Sequence, residues 1–374
     1  MPLRYLGATV DVMVARFPFA RGHVDPLVAV RSTLNIEAWL RQPHKPIPGI
    51  AQRRISLFVL SGYQVLICTG AQGRHLLHID ATEVPALALA QDARAVYGIG
   101  ATSDDTYHVA VSIDEAARDR LLSAVRSGAI TPLRTLGSPK EGAGASGQLV
   151  STLVGASSAA DKELGVPENC DIAWADLRHV AHLFSDDDSA VATSAVALDA
   201  WHRDSRFCTH CGSASSITDA GWTRTCGRCD HVEYPRQDPA MIVAVFDDEE
   251  RLLLAHNVAW RPRVMSLIAG FVDAGEDPER TVIRELREEV GIEVDNVEFI
   301  GAQPWPFPRS TMIAYRARLA AQRLQVPRPD GIEIDRAHFF SRTELRARLA
   351  DGSLELPSPT SVARAVIDDW LSRS

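Results

Sequence analysis

The sequence predicts an α/β (α+β) protein: a mixed sheet packed between helices, preceded by a four-cysteine ribbon and an N-terminal mixed α/β domain. Three observations carry this. Short apolar runs bounded by turn residues alternate with segments of helical spacing over the C-terminal part. Cys208-x2-Cys211 and Cys226-x2-Cys229 form a C-x2-C-x14-C-x2-C array. Residues 270–292 read as a loop, a helix and a stop.

At 374 residues the chain has room for two or three cores, and the expected divisions are 1–205, 206–235 and 236–374. The composition, 46% hydrophobic and 23% charged, is that of a globular protein. A net charge of −9 argues against a generic basic surface for nucleic acid, and an anionic substrate therefore needs local cations or backbone amides. No apolar run reaches the length of a membrane span, and Met1-Pro-Leu-Arg-Tyr-Leu6 lacks a signal-peptide core, so no membrane partner and a cytoplasmic location are expected. Six cysteines in so long a chain are not a disulfide framework.

In chain order, Ile55–Leu60 and Gln64–Cys68 are expected strands of a hairpin about Ser61-Gly62-Tyr63. Arg94–Gly98 and Tyr107–Ile113 are two more, and Asp114–Val125 has helical spacing. Residues 137–160, rich in Gly, Ala and Ser, read as a mobile loop or insertion. Trp174–Phe184 and Ala190–Trp201 have helical spacing, with Ser185–Ser189 able to cap the second. His75 with His78, and His179 with His182, stand at i, i+3 but lack a third ligand, so each pair is read as lying at the surface or the core edge. Cys68 and Cys170 are read as small buried apolar residues.

The four cysteines after Arg206 carry the first definite chemistry. Each Cys-x2-Cys knuckle aims two thiolates at one point, two knuckles close a tetrahedron, and soft sulfur selects zinc. With every position filled by protein sulfur no place remains for water, so this zinc is structural. Arg206, Arg224, Arg228 and Arg236 are too few for a dense nucleic-acid patch.

After the ribbon, strands are expected at Met241–Phe246, Arg251–Ala255, Met265–Phe271, Val297–Gly301, Thr311–Leu319 and Ala337–Phe340, with late helices at Thr343–Leu349 and Thr360–Leu371. In 270–292, Asp277 caps, Pro278 suits the first helical position and Gly291 the C-terminal cap. Val282, Leu286 and Val290, with Ile283 beside them, form an apolar stripe. Glu285, Glu288 and Glu289 cluster on a neighbouring face. Three like charges need a partner, and a hard divalent cation with oxygen ligands is the natural one. Taken alone, they read equally as a solvated acidic face. Downstream, Gln303-Pro304-Trp305-Pro306-Phe307-Pro308-Arg309-Ser310 alternates prolines with aromatics, which stiffens a loop and presents flat rings. A base-binding loop, a polyproline ligand and a turn packed on the core are all open from these residues alone.

Residues 270–292 resemble the Nudix box, G-x5-E-x7-R-E-U-x-E-E-x-G-U with U aliphatic. Gly270, Glu276, Arg284, Glu285, Leu286, Glu288, Glu289, Gly291 and Ile292 fill all nine defined positions. With the preceding ribbon and a match to S-Q-P-W-P-F-P-x-S, the chain is similar to the NADH pyrophosphatase family across residues 206–310; Ala302 replaces the usual Ser. Over residues 1–200 only the general layout is similar. The resemblance implies a Nudix α/β/α sandwich and metal-dependent hydrolysis of NADH or NAD+ to a nicotinamide mononucleotide and AMP. Removal of NAD caps from RNA is a related activity, and the alternative is a broader Nudix hydrolase acting on ADP-ribose or other nucleoside diphosphate derivatives. It implies magnesium or manganese held by Glu285, Glu288, Glu289, Glu333 and the carbonyl of Ala269. Glu289 is the first choice for the group that acts on water and Glu288 the second. Tyr234, Phe271, Gln303, Pro304, Trp305, Pro306, Phe307, Pro308, Arg309, Ser310 and Ala363 match substrate-contacting positions. A homodimer is also implied.

Overall fold

Alternation along one central strand organises the C-terminal part of the molecule. In β11 (Asp238–Phe246) of the computed structural model, Met241, Val243 and Val245 enter one apolar cluster, while Ile242, Ala244 and Phe246 enter another. A strand buried on both faces needs a layer on each side. The structure describes residues 17–22, 24–40, 50, 53–70, 73–80, 91–102, 104–130, 170–320 and 326–373. They fall into two compact units, one from Gly22 to Pro235 and one joining the chain up to Arg21 with Arg236–Ser374. The loop expected at 137–160 lies outside the described residues.

In the first unit, β1 (Arg54–Ser61) and β2 (Gln64–Gly70) form the expected hairpin, turned by Gly62 at φ 63°. With β3 (Gly73–Leu76), β4 (Ile79–Asp80), β5 (Ala93–Ala101), β6 (Thr106–Ile113) and β7 (Asp171–Asp176) they make a seven-stranded sheet. Its main order is β3-β2-β1-β6-β5, with β4 on β1 and β7 on β2. Trp174 thus lies in a strand, where the sequence reading begins a helix. Leu66 and Trp174 are cross-strand partners, and pairing to the β2 edge overrides the local helical spacing. Asp176 then accepts from the Arg178 amide and starts the single turn Leu177–Val180. Helix α1 (Arg118–Arg126) covers one face.

Helix α2 (Asp186–Asp204) begins at Ser185, which accepts from the Asp188 amide as expected of a cap. A buried polar network ties it to the sheet. Tyr97 (3.0 Å), Ser112 (2.5 Å) and Arg94 all donate to the fully buried Asp199 carboxylate. His78 bridges Ser56 (2.8 Å) and Asp188 (2.6 Å) with all three side chains buried. His75 and His78 are therefore interior residues, not edge residues. Cys68 and Cys170 are disulfide-bonded, Cα–Cα 5.8 Å, against the expectation of two separate thiols. Both sit in the α1-side core, where burial brings them together. The ribbon belongs to this unit, with β8 (Ser215–Thr218), β9 (Thr223–Cys226) and β10 (Val232–Glu233) in a three-stranded sheet. Trp222 Nε1 donates to the Gly98 carbonyl at 2.8 Å and pins the ribbon to β5.

In the second unit the sheet order is β14 (Val294–Trp305), β15 (Ser310–Leu319), β11, β12 (Leu252–Asn257), β16 (Ile334–Phe340), with β13 (Ile268–Phe271) antiparallel to β11. Helix α3 (Pro278–Val290) packs on one face through fully buried Val282, Leu286 and Val290, each contributing about 1.5–3 kcal/mol by burial. Helices α4 (Arg342–Ala350) and α5 (Val362–Ser372) pack on the other through Leu345, Val366, Ile367 and Trp370. This is the α/β/α sandwich. Phe17, 1% exposed, completes its second core. The proline-aromatic stretch is not a free loop throughout. Ala302–Trp305 is paired to β15, and only 306–309 turn. Pro304 fits because β14 is an edge strand. No helix among the described residues is long and apolar enough to cross a membrane.

Candidate active site

Helix α3 carries the acidic groups, and its ends are set as its residues dictate. The Asp277 side chain accepts from the Arg280 amide, Pro278 opens the helix, and Gly291 closes it at φ 64°, with the Ile292 amide returning to the Leu286 carbonyl. Ile283, beside the stripe, is 36% exposed. Gly270 on β13 faces α3 so closely that a Cβ there would lie 2.2 Å from the Glu285 carboxylate carbon. Only glycine lets Glu285 fold over the strand.

Arg284 organises the carboxylates. It donates to both oxygens of Glu276 (3.0 and 2.9 Å), to Glu285 (2.9 Å), to Glu288 (3.2 Å) and to the Phe271 carbonyl (3.0 Å). The Glu276 carboxyl is consequently lowered to about 2, by Arg284 first and then Thr281 and the Asp273 amide against some burial. Glu276 therefore serves as a fixed anion that holds the arginine. Glu289 has the opposite environment. Its burial, then Glu285, Glu333, Asp330 and Glu288, push it up to about 8. Burial also raises Glu285, with Arg284 opposing. Glu333 stands on an exposed turn whose Ile332, Glu333 and Ile334 amides all donate to Asp330. Hard oxygen donors crowded around a buried carboxylate fit a divalent cation, whose charge offsets the repulsion.

The other face of β13 is different. Ala269, next to Gly270, lines a cavity of about 400 Å³. Trp260, Trp305, Met312, Ser361 and Ala363 also contribute to its wall. Of the residues matched to substrate contacts, Trp305 and Ala363 lie on this wall. Phe307 does not. It stacks edge-on against Trp305, ring centroids 5.0 Å apart. Gln303 is fully buried, its Oε1 accepting from the Phe19 amide and its Nε2 donating to the Thr360 carbonyl, both at 3.1 Å. Pro304 and Ser310 belong to the β14–β15 ladder, Pro306 is buried and Pro308 exposed in the turn, and Arg309 bonds Asp238 at 2.7 Å. Phe271 is exposed on β13, and exposed Tyr234 belongs to the other unit. Trp260 and Phe19 are absent from the sequence reading, and Asp330 has no role in it. An aromatic in the polar 257–263 loop was the available signal for the first. Nothing local signals Phe19, which lies 284 residues from Gln303.

In the ribbon, the four sulfurs lie within 4.8 Å of one another, the only such group of three or more His, Cys, Asp or Glu ligand atoms among the described residues. Cys208–Cys229 and Cys211–Cys226 are 3.7 and 3.5 Å apart, and no disulfide forms among them. A tetrahedron with Zn–S near 2.3 Å has edges of about 3.8 Å. The fit is to zinc. The Ser213 amide and hydroxyl, then Cys229 and Cys226, draw Cys211 down to about 6. Glu233 locks the first knuckle by accepting from the Thr209 amide (2.6 Å) and hydroxyl (2.7 Å). Arg224 is buried and occupied by Ser215 and His202, so it adds nothing to a basic surface. His179 and His182 join no such group.

Fold and site together are those of the Nudix family. The Nudix domain model matches residues 235–357, and the NADH pyrophosphatase zinc ribbon domain matches 203–234. A Pseudomonas aeruginosa protein named NAD-capped RNA hydrolase NudC is 40% identical over 202 residues, 54% of this chain and 68% of that protein. One of the same name from Mycobacterium bovis is 42% identical over 203 residues, 52% of this chain, and the match spans 64% of its length. A solved Nudix hydrolase from Nitrosomonas europaea is 26% identical, covers 37% of this chain and 79% of its own, and has a TM-score of 0.31. The chain belongs to the zinc-ribbon Nudix hydrolases of the NADH pyrophosphatase type.

Proposed function

We propose that this protein hydrolyses the diphosphate of NADH or NAD+ to a nicotinamide mononucleotide and AMP, and that it removes NAD caps from RNA by the same cleavage. One observation carries the reading. Across β13, Glu285 overlies Gly270 on one face while Ala269 and Trp305 line a cavity of about 400 Å³, room enough for a ring, on the other. A dinucleotide has the matching parts, a diphosphate and a flat ring. The broader alternative, ADP-ribose or another nucleoside diphosphate derivative, also carries a diphosphate and one flat ring; the proline-aromatic stretch Gln303–Ser310, similar to that of the NADH pyrophosphatase family, favours the dinucleotide.

Glu285, Glu288, Glu289, Glu333 and the Ala269 carbonyl would hold magnesium or manganese. When bound, such ions neutralise charge on phosphoryl oxygens and lower the pKa of a bound water. The chain's own residues do the rest. Arg284 fixes Glu285 and Glu288 from one side. Glu289, buried and beyond hydrogen-bond reach of Arg284, is the carboxylate that orients water and takes its proton, with Glu288 as the second choice. Trp305 excludes water and orients the ring. A homodimer and a cytoplasmic setting belong to the same proposal, supported by the family resemblance.

The test is a panel of NADH, NAD+, ADP-ribose and NAD-capped RNA with magnesium or manganese, run in heavy-oxygen water. Label is expected in one mononucleotide product and never in free nicotinamide. Release of nicotinamide, or preference for ADP-ribose over all three NAD substrates, refutes the reading. Light scattering decides the dimer.

A further inference from the structure

The turn Phe17–Ala20 precedes the first unit in sequence yet belongs structurally with the sandwich. Its two aromatic residues do different things. Phe17 fills the core between sheet and α5. Phe19, 3% exposed, packs against Trp305 (centroids 5.8 Å) and Phe307 (6.0 Å), and those two rings pack on each other at 5.0 Å. The Phe19–Trp305 and Trp305–Phe307 pairs are edge-on and the Phe19–Phe307 pair is tilted, directional contacts that set ring planes as well as fill space. The Phe19 amide also donates to Gln303 Oε1, whose Nε2 donates to the Thr360 carbonyl. Thr360 precedes Ser361, the cap of α5, and Ser361 and Ala363 line the cavity beside Trp305. A buried amide with both ends used has one orientation. Gln303 therefore braces the N-terminal turn to both walls of the pocket.

We propose that Phe19 is a positioning residue for the ring pocket. It holds Trp305 at the angle that receives the substrate's ring, an inference that rests on the function proposed above. Phe19 reaches no carboxylate of α3, so it acts on how the ring-bearing substrate is seated and leaves the chemistry at Glu289 alone. A residue from the far end of the chain thereby sets substrate selection in the Nudix domain.

The experiment uses the full chain with magnesium and NADH, comparing Trp305→Ala, Phe19→Ala, Phe19→Leu, Phe17→Ala and the Phe19→Ala/Trp305→Ala double variant. Trp305→Ala should raise KM by about 5- to 150-fold, the scale of one lost stacking contact. Phe19→Ala should raise KM by about 2- to 13-fold with kcat within about twofold, the scale of an aromatic pair. Phe19→Leu, which keeps most of the volume, should fall between it and the native protein. Phe17→Ala should lower Tm and leave KM unchanged. The double variant should be no worse than Trp305→Ala, because Phe19 has nothing left to position. An unchanged KM in Phe19→Ala beside a raised KM in Trp305→Ala overturns the positioning role and leaves the pocket intact. Multiplied effects in the double variant overturn it too. An unchanged KM in Trp305→Ala overturns the pocket reading and this proposal together. If Phe19→Ala fails to fold, Phe19→Leu with and without Trp305→Ala carries the same comparison.

Discussion

The molecule contains two clusters built to hold cations, and they are prepared differently. The four ribbon sulfurs already lie within 4.8 Å of one another, whereas the carboxylates of α3 and Glu333 form no group that tight. The cysteines sit on two short knuckles whose backbone turns aim them inward, and Cys211 is drawn down while Cys229 is pushed up, so their charges do not all build at once. The glutamates sit on a helix and a turn, and burial together with their mutual repulsion raises Glu289. Arg284 draws Glu276, Glu285 and Glu288 to itself, and Glu289 is left buried among like charges. One centre is closed and serves folding. The other is open, and under the function proposed above a divalent cation relieves the repulsion that Arg284 leaves at Glu289.

The largest expected effect separates the two directly. Glu289→Gln keeps shape and removes the charge and the base, so turnover should fall by about 10²- to 10⁴-fold while Tm holds or rises. Near-normal NADH hydrolysis by that variant would end the assignment. The ribbon should respond in the opposite sense. Cys226→Ser, or removal of zinc by a chelator, should unfold the ribbon, since structural zinc contributes on the order of 10 kcal/mol to such small domains. Amide hydrogen exchange across 206–235 reads this, and one zinc per chain is expected by metal analysis. Protein isolated without zinc yet protected there would break the comparison. Next in size is Gly270→Ala. Its Cβ would stand 2.2 Å from the Glu285 carboxylate carbon, so that side chain must move. A displacement of an ångström can cost about a hundredfold in rate. Native turnover in Gly270→Ala would mean that Glu285 is not held where it must act.

A smaller effect concerns pH and the first unit alone. Burial depresses His202 to about 4, the Gly221 carbonyl opposing and Arg224 and Arg94 assisting. Arg224 has only donors and the Gly221 carbonyl only accepts, so Nδ1 must be bare and Nε2 protonated, the neutral ring. His108 is likewise pressed down to about 3 by burial and His78. The unfolded chain takes up these protons first, near pH 6.5. Their contribution is therefore full above that pH and falls as pH drops toward 4 for His202 and toward 3 for His108, by on the order of 1–3 kcal/mol per histidine. Denaturant melts of His202→Gln should lose part of this slope. An unaltered slope would place the acid sensitivity elsewhere.

How far each part was legible in the sequence follows from how local its signals are. The caps at Asp277 and Gly291, the stripe through Val282, Leu286 and Val290, and the knuckles at Cys208 and Cys226 depend on neighbours a few residues away. All appear in the structure. Trp174 was misread because its strand exists only through pairing to β2. Cys68 and Cys170, separated by 102 residues, give no local sign of bonding. The aromatic stretch was legible as composition but not as register. Counting prolines cannot reveal that Trp305 faces a cavity and Phe307 its back, or that Gln303 is consumed in bracing.

That last distinction yields the smallest effect. Trp305 and Phe307 look equivalent in sequence, two rings each flanked by prolines. In the fold only Trp305 lines the cavity. Phe307 touches Trp305 and Phe19 with its ring and supports the wall from behind. An aromatic pair contributes about 0.5–1.5 kcal/mol beyond its buried area, against about 1–3 kcal/mol for a base stacked on a ring. Phe307→Ala should therefore raise KM for NADH by about 2- to 13-fold, less than Trp305→Ala does, with kcat nearly unchanged. Phe307→Leu should recover part of the loss by filling the space without restoring the edge-on contact. Parallel steady-state kinetics on the three variants decide it. Equal losses at Trp305 and Phe307, with no recovery in Phe307→Leu, would mean both rings touch substrate and the open centre recruits a wider surface than this cavity. A larger loss at Phe307 would exchange their roles.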